Sequence, residues 1–481
     1  VILGGKNAGL ALFVNIEEMS ISDSYVVKEN DLRGMAGRSD GMRYRRNRQG
    51  IRYAMTGRQR LMYRLCLLGV LIAVMAFTAV YGYFELRGRI PDEITLFQDR
   101  VENIDFGIPF TQVRVSQTDA EAARVSIDHA KKADGHIRFS MAGPLSVTAQ
   151  NCGSLQGEVR LFGWLPCKKI RIDIRKGTKV MPAGKAVGLY IHADGVMVLG
   201  TGRIAAAGGE EQTPAYNKLQ TGDYIYAVNG RKVVTIRDVS RLVQKNGAKQ
   251  MILSVKRDSG RIQVKLTPVR AADGSYQIGV WLREDTEGIG TLTFVTPENQ
   301  FAALGHGITD ADTDLLIRLQ NGGLYPAGID HVVRGKNGTP GQLAGYVQLG
   351  KENRLGEIEN NTLLGITGQI TNRAYQYQED KACEAACKQD VRKGKAVIRC
   401  QLDDQVKEYE VEIEKINLSS KDNKGMEIHV TDPELLEKAG GIVQGMSGAP
   451  ILQNGKCIGA VTHVFVRDVT RGYATFLENM L

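Results

Sequence analysis

Three kinds of hydrophobic pattern follow one another along the chain. From Leu65 to Phe84 no residue is charged, and a run of that length is what a helix needs to cross a bilayer. Beyond Glu85 the apolar residues come in short runs separated by polar turns, as in Ile137–Met141 and Val159–Trp164, which predicts strands. One stretch breaks that rhythm: between Asp238 and Lys245, Val239, Leu242 and Val243 fall on one helical face. It is preceded by a strand that ends at the turn Asn229-Gly230, and followed by strands at Met251–Lys256 and Ile262–Thr267. From Ala271 onward the strand pattern returns, with Gly290–Val295, Ala396–Leu402 and Val406–Ile416 the clearest. The pattern therefore predicts a mainly β protein with one transmembrane helix. Its expected segments are 1–64, the helix 65–84, a β-rich region 85–177, a strand–helix–strand unit 178–268, and a C-terminal domain 271–481 of many strands joined by short turns, which suits a double β-barrel.

Charge changes the picture of the N-terminus. The formal net charge of +9 suggests nucleic acid, but ten arginines and one acid, Asp40, lie between Arg33 and Arg64, so the rest of the chain is about neutral. Arginines on that side of the apolar run place the N-terminus in the cytoplasm and everything after about Glu85 outside. A cytoplasmic flank accounts for the arginines, and no nucleic-acid partner is expected. The competing reading, a cleaved signal peptide, fits less well because the run ends in Tyr81, Tyr83 and Phe84 rather than in small residues. Residues 1–30, which begin with Val, are given no role. An extracytoplasmic setting permits disulfides, with Cys152 to Cys167 and a pair among Cys383, Cys387 and Cys400 as candidates. Cys383-x-x-x-Cys387 lacks a second ligand pair, so neither a metal nor any other cofactor is expected.

The candidate chemistry lies near the C-terminus. In Gly445-Met446-Ser447-Gly448-Ala449-Pro450 a serine is framed by glycines, and Ile451-Leu452-Gln453-Asn454-Gly455 begins a hairpin just beyond it. Glycines there allow the backbone to bend so that the Ser447 hydroxyl projects while amide hydrogens of Gly445 and Ser447 converge as an oxyanion hole. A general base must be exposed enough for both ring nitrogens to work, and His306 between Gly305 and Gly307 is placed for that, although a β-turn histidine has the same surroundings. The orienting acid stays open: Asp432 precedes Pro433 and a short helix that it could simply cap, Thr431 and Glu434 fit a capping box, and Asp310, Asp312 and Asp330 are rivals. His463 reads as a strand histidine, His129 and His136 as surface residues.

Two resemblances organise these observations. Leu219-x-x-Gly222-Asp223-x-Ile225-x-x-Val228-Asn229-Gly230, followed by the amphipathic helix, resembles a PDZ domain over about residues 178–268. By that resemblance a peptide would add to a sheet edge beside the helix, with its carboxylate held near Asp194-Gly195-Val196-Met197. The serine loop and its hairpin resemble the nucleophile loop of chymotrypsin-like serine proteases. Taken with Ala303-Leu304-Gly305-His306-Gly307-Ile308 and the run from Thr431 to Gly448, the chain from about Ile90 resembles the stage IV sporulation protein B peptidases of endospore-forming bacteria. The resemblance implies a PDZ domain followed by a chymotrypsin-like double β-barrel, with His306 as general base, Asp432 as orienting acid and Ser447 as nucleophile. It also implies self-cleavage and cleavage of a protein that regulates an intramembrane metalloprotease, in the space between the forespore membranes, leading to activation of a late sigma factor. Ala449 departs from the serine expected there, without removing a required side chain. The alternative from another class is a membrane-tethered PDZ adaptor with an inactive protease-like domain.

Overall fold

A computed structural model describes residues 57–116, 124–128, 130–133, 136–258, 260–420 and 422–481. The basic segment up to residue 56 and His129 lie outside them. The apolar run forms part of one helix, Gly57–Arg89, of which Leu61–Arg89 is long and apolar enough to cross a membrane. It runs a turn or more past the expected 65–84 at each end because Arg58 to Arg64 and Glu85, Leu86 and Arg87 are themselves good helix formers.

Residues 93–175 form a sandwich. A six-stranded sheet contains Glu93–Phe97, Leu165–Arg175, Gly153–Leu161, Thr111–Ser116, His136–Ser140 and Lys131–Ala133, and a three-stranded sheet contains Val101–Ile104, Leu145–Gln150 and Arg124–Ile127. Alternating burial along these strands puts Val113, Val115, Val159, Ile170 and Ile172 into one core with Ile104 and Val147 of the smaller sheet. Tyr83 and Leu86, in the last turns of the apolar helix, pack against that core.

The C-terminal domain is built from two closed barrels. In the first, Lys179–Thr201 pairs with Val280–Val295, then in turn Gln300–Ala303, Gly365–Ile370, Gly356–Thr362 and Leu319–Val333, and Leu319–Val333 returns to Lys179–Thr201. In the second, Gly394–Gln401, Val406–Ile416, Met426–Val430, Asp468–Phe476, Lys456–Phe465 and Pro450–Gln453 close in the same manner. Every pair around each ring is antiparallel, and within the ring each strand has a neighbour on both sides. Each barrel has its own core, Leu189, Ile191, Phe301 and Ile366 in one and Ile398, Ile428, Ile451 and Val461 in the other. Side chains of this kind stabilise by about 1.5–3 kcal/mol each when taken fully out of water.

This closure corrects the expected boundary between 178–268 and 271–481. The first strand of the first barrel comes before the PDZ unit, and Val187 to His192 face Gly290 to Asp285 inside the barrel. Farther along, the same two strands enter the PDZ sheet, where Val196 and Met197 pair with Ile225 and Tyr224. The PDZ unit is thus inserted between two strands that it shares with the barrel. Its helix, Ile236–Asn246, opens with a capping box between Thr235 and Asp238 and buries Val239 and Val243. Asp223 of the Gly-Asp motif is fully buried, and Arg257 holds both of its oxygens at 2.7 and 2.8 Å.

All seven cysteines are free thiols, so neither expected disulfide is formed. Cys152 is exposed and donates to Gln98 Oε1, whereas Cys167 lies in the sandwich core.

Candidate active site

The serine loop is shaped by what lies beneath it. Gly445 and Gly448 have φ of 98° and 93°, a region that excludes most side chains. A Cβ at Gly448 would collide with Thr291 O and Leu304 N of the first barrel, so the loop of the second barrel presses directly on the first. Thr291 holds it there: its N–H donates to Ser447 O at 2.9 Å and its hydroxyl to Gly445 O at 2.8 Å. With both carbonyls taken, the N–H groups of Gly445 and Ser447 are left without a protein acceptor among the described residues. Buried Met446 and Ala449 fix the loop from the other side.

Ser447 and His306 meet in one cleft of about 490 Å³ between the barrels, together with Leu304, Thr462 and His463. Gly305 (φ 68°) turns the chain so that His306 faces it. The imidazole Nδ1 lies 2.9 Å from Gly307 O, a carbonyl that can only accept, so Nδ1 carries the proton and Nε2 is free to act as a base. Burial holds the His306 pKa below the ordinary histidine value, with the Gly307 carbonyl opposing the shift. Ser447 is half-buried and its hydroxyl donates to Thr462 O at 2.9 Å. A rotation about χ1 is therefore needed to bring Oγ toward the base.

The residue beside Thr462 is the one that sequence reasoning passed over. The ring of His463 lies 5.1 Å from that of His306, tilted by 37°. Desolvation first, then the nearby His306 and Lys424, hold His463 below its ordinary pKa. Its strand position gave no signal of this, because only barrel closure brings Lys456–Phe465 beside His306. Both imidazoles thus line the cleft that holds the serine.

Asp432, the expected orienting acid, is placed elsewhere. Its Oδ1 accepts from Leu435 N at 3.0 Å and its Oδ2 from Glu410 N at 3.2 Å, so it caps the helix Pro433–Ala439, and the cap is Asp432 rather than Thr431. The rivals do not replace it. Asp310 is fully buried and takes Arg283, which also pairs with Asp312, and Asp330 is exposed. A backbone carbonyl, not a carboxylate, orients His306.

A second groove belongs to the PDZ unit. Gly195, Val196 and Met197 offer no open edge: Val196 and Met197 are buried, and Met197 pairs with Tyr224 on one side and Arg283 on the other. The open cleft, about 310 Å³, lies instead between the helix residues Ile236, Val239 and Val243 and the segment Ile278, Val280 and Leu282. Gly279 (φ 67°) turns the loop that leads into it, and Gln244 bonds both the N–H and the carbonyl of Tyr276. The groove is displaced from the expected loop because the strand that borders the helix comes from the end of the unit rather than its start.

Comparison with known proteins agrees with both parts. Residues 274–481 match the family model SpoIVB peptidase S55, and residues 206–257 match a PDZ domain model. Over residues 274–481 the chain is similar to the SpoIVB peptidase family. Among curated proteins it is similar to the Putative zinc metalloprotease LL2128 of Lactococcus lactis subsp. lactis, 38% identical over 72 residues, which are 15% of this chain and 17% of that relative's length. Among solved structures it is similar to the PDZ domain of the SdrC-like protein (Lmo2051) of Listeria monocytogenes, at 19% identity over 18% of this chain and 87% of that one, with a TM-score of 0.16. The C-terminal match is thus to a serine peptidase family and the central one to a PDZ domain, and among the described residues no group of three or more metal-ligating side chains occurs.

Proposed function

We propose that this chain is a membrane-anchored serine endopeptidase that works through a Ser447–His306 dyad. The observation that carries the reading is the meeting of these two side chains in the inter-barrel cleft, beneath the unengaged amides of Gly445 and Ser447. Ser447 Oγ turns from Thr462 O, gives its proton to His306 Nε2, and attacks a peptide carbonyl. The oxyanion meets the N–H groups of Gly445 and Ser447, each such donor being worth about a factor of 10² to 10³ in kcat. Gly307 O holds the Nδ1–H throughout, and His306 then protonates the leaving amine. His463, packed on the same ring, keeps it from swinging out of line.

The PDZ groove supplies the second half of the reading. A peptide extended along Val280–Leu282 would add to that strand's open edge and place apolar side chains against Val239 and Val243. Because that strand continues into the first barrel, the bound peptide and the cleft are joined by one continuous strand. The family further supports a role in sporulation signalling: cleavage of the chain's own N-terminal region and of a protein that regulates an intramembrane metalloprotease, outside the membrane that the apolar helix crosses, with activation of a late mother-cell sigma factor as the result.

The test is cleavage by purified chain in detergent, with self-cleavage read by intact mass and trans-cleavage read on a Ser447→Ala chain as substrate. Wild-type protein should cut the variant, and the variant should cut neither itself nor a second copy. Cleavage that persists in purified Ser447→Ala protein would refute the dyad. One observation favours the adaptor reading, namely the Ser447 hydroxyl resting on Thr462 O rather than on an imidazole. A chain that never cleaves and never reacts with a fluorophosphonate, with or without C-terminal peptides, would establish that reading instead.

A further inference from the structure

Three loops close one end of the N-terminal sandwich: Phe106–Phe110, Met141–Leu145 and Leu161–Leu165. Strand register brings them together. Thr111 faces Leu161, and Phe162 N donates to Phe110 O at 2.7 Å; Ile104 faces Leu145, and Ile108 N donates to Met141 O at 3.0 Å. Not one residue in these loops is charged or carries a polar side chain apart from the indole of Trp164, in a chain of which 24% is charged. Phe110, Phe162 and Trp164 are 63%, 61% and 69% exposed, and the two phenylalanine rings lie 5.3 Å apart. Phe110 and Phe162 also have φ of 60° and 53°, a conformation that costs a bulky residue about 1 kcal/mol or more. The strain turns both rings outward into water, where burial within this molecule does not offset it.

The same end of the sandwich receives the apolar helix. Glu93–Phe97 runs parallel to Leu165–Arg175 with Glu93 opposite Arg171, so the chain before Glu93 heads toward Leu165. Lys168 Nζ donates to Ile90 O, which puts the helix exit three residues from Leu165, roughly 10 Å at the rise of a strand. Tyr83 and Leu86 lie on the sandwich core, as do Phe106, Leu145 and Leu165 of the three loops.

We infer that Phe110, Phe162 and Trp164 form a wedge that enters the headgroup–acyl boundary of the bilayer beside the helix, holding the sandwich against the membrane at a second point. The inference rests on the reading that Leu61–Arg89 crosses a membrane. Aromatic side chains favour that boundary, where the rings leave water and the indole N–H still finds an acceptor. The absence of charge across all three loops suits a lipid surface better than a protein partner, whose interface would carry a polar rim.

The chain has two tryptophans, Trp164 and Trp281, so Trp281→Phe leaves Trp164 as the sole reporter. The full chain carrying that substitution is reconstituted into phosphatidylcholine–phosphatidylglycerol vesicles whose acyl chains bear bromine close to the headgroup. Trp164 fluorescence should fall at least twofold relative to vesicles without bromine. In the Trp164→Phe chain, Trp281 at the PDZ groove should be unaffected, and Phe110→Ser with Phe162→Ser should relieve most of the quenching at Trp164. If Trp164 is quenched no more than Trp281 while alkaline carbonate fails to extract the chain, the helix spans and the wedge is refuted. If carbonate extracts the chain, the membrane reading and the wedge fall together. A blue shift of Trp164 that grows with protein-to-lipid ratio and ignores bromine would show a second copy on the patch, and would equally overturn the lipid assignment.

Discussion

Thr291 offers the sharpest test of how the nucleophile loop is held. It is 1% exposed, and Thr291→Val keeps its shape while deleting the hydroxyl that donates to Gly445 O. The backbone bond from Thr291 N to Ser447 O survives. Leaving a partly buried carbonyl without its donor costs about 1–3 kcal/mol, so the free energy of unfolding should fall by an amount in that range. The larger effect belongs to catalysis. Once Gly445 O is free, the neighbouring peptide can turn, and the Gly445 N–H no longer points where the oxyanion forms; loss of one such donor lowers kcat by about 10² to 10³ with little change in KM. The assay is peptide hydrolysis together with the pseudo-first-order rate of fluorophosphonate labelling, and Thr291→Ser should restore both. A Thr291→Val chain that is destabilised but labels and cleaves at the wild-type rate would refute the argument that Thr291 sets the geometry of the oxyanion amides.

Other expectations follow from the same cleft. Because burial holds His306 below the ordinary histidine pKa, its neutral form persists to lower pH; kcat/KM should stay level down through pH 6.5 and fall only as pH drops through the depressed value, and an acid limb above 6.5 would contradict the desolvated environment. The same shift has a stability counterpart with the same sign: below pH 6.5 the unfolded chain takes up a proton that the folded imidazole refuses, so folding stability should decline on acidification, and less steeply in His306→Gln. Asp432→Ala should cost about 1 kcal/mol of stability by uncapping the helix Pro433–Ala439, whereas Asp432→Asn, itself a good cap, should remain close to wild type in cleavage; an inactive Asp432→Asn protein would return the carboxylate to the role of orienting acid. Gly448→Ala should abolish labelling while leaving the PDZ groove able to bind peptide, because its methyl group has no room against Thr291 O and Leu304 N.

How much of this was legible in the sequence depends on how local each feature is. The serine loop could be read because glycines at 445 and 448 are required by backbone conformation, and such a requirement is visible in a short string. The helix Ile236–Asn246 and its cap were legible for the same reason. A double barrel was expected, but not the strand that opens it, since Lys179–Thr201 looks like two PDZ strands until its pairing with Leu319–Val333 is seen, more than a hundred residues away in the chain. The PDZ groove was misplaced on Gly195 for a related reason: the strand bordering the helix is supplied by Val280–Leu282, from the far end of the unit. Asp432 and His463 show the limit for side chains. The first stands in a familiar order with His306 and Ser447 yet spends both oxygens on a helix and a strand, and the second has no motif at all but is carried beside His306 by the closing strands.

The most direct measurement of the central claim is the rate at which diisopropyl fluorophosphate modifies the chain, followed by peptide mass, in wild type and in His306→Gln. The account predicts a single adduct on Ser447 that forms in the wild type and is slowed at least a hundredfold by His306→Gln. An adduct on another residue, or labelling of Ser447 at an unchanged rate without His306, would contradict it.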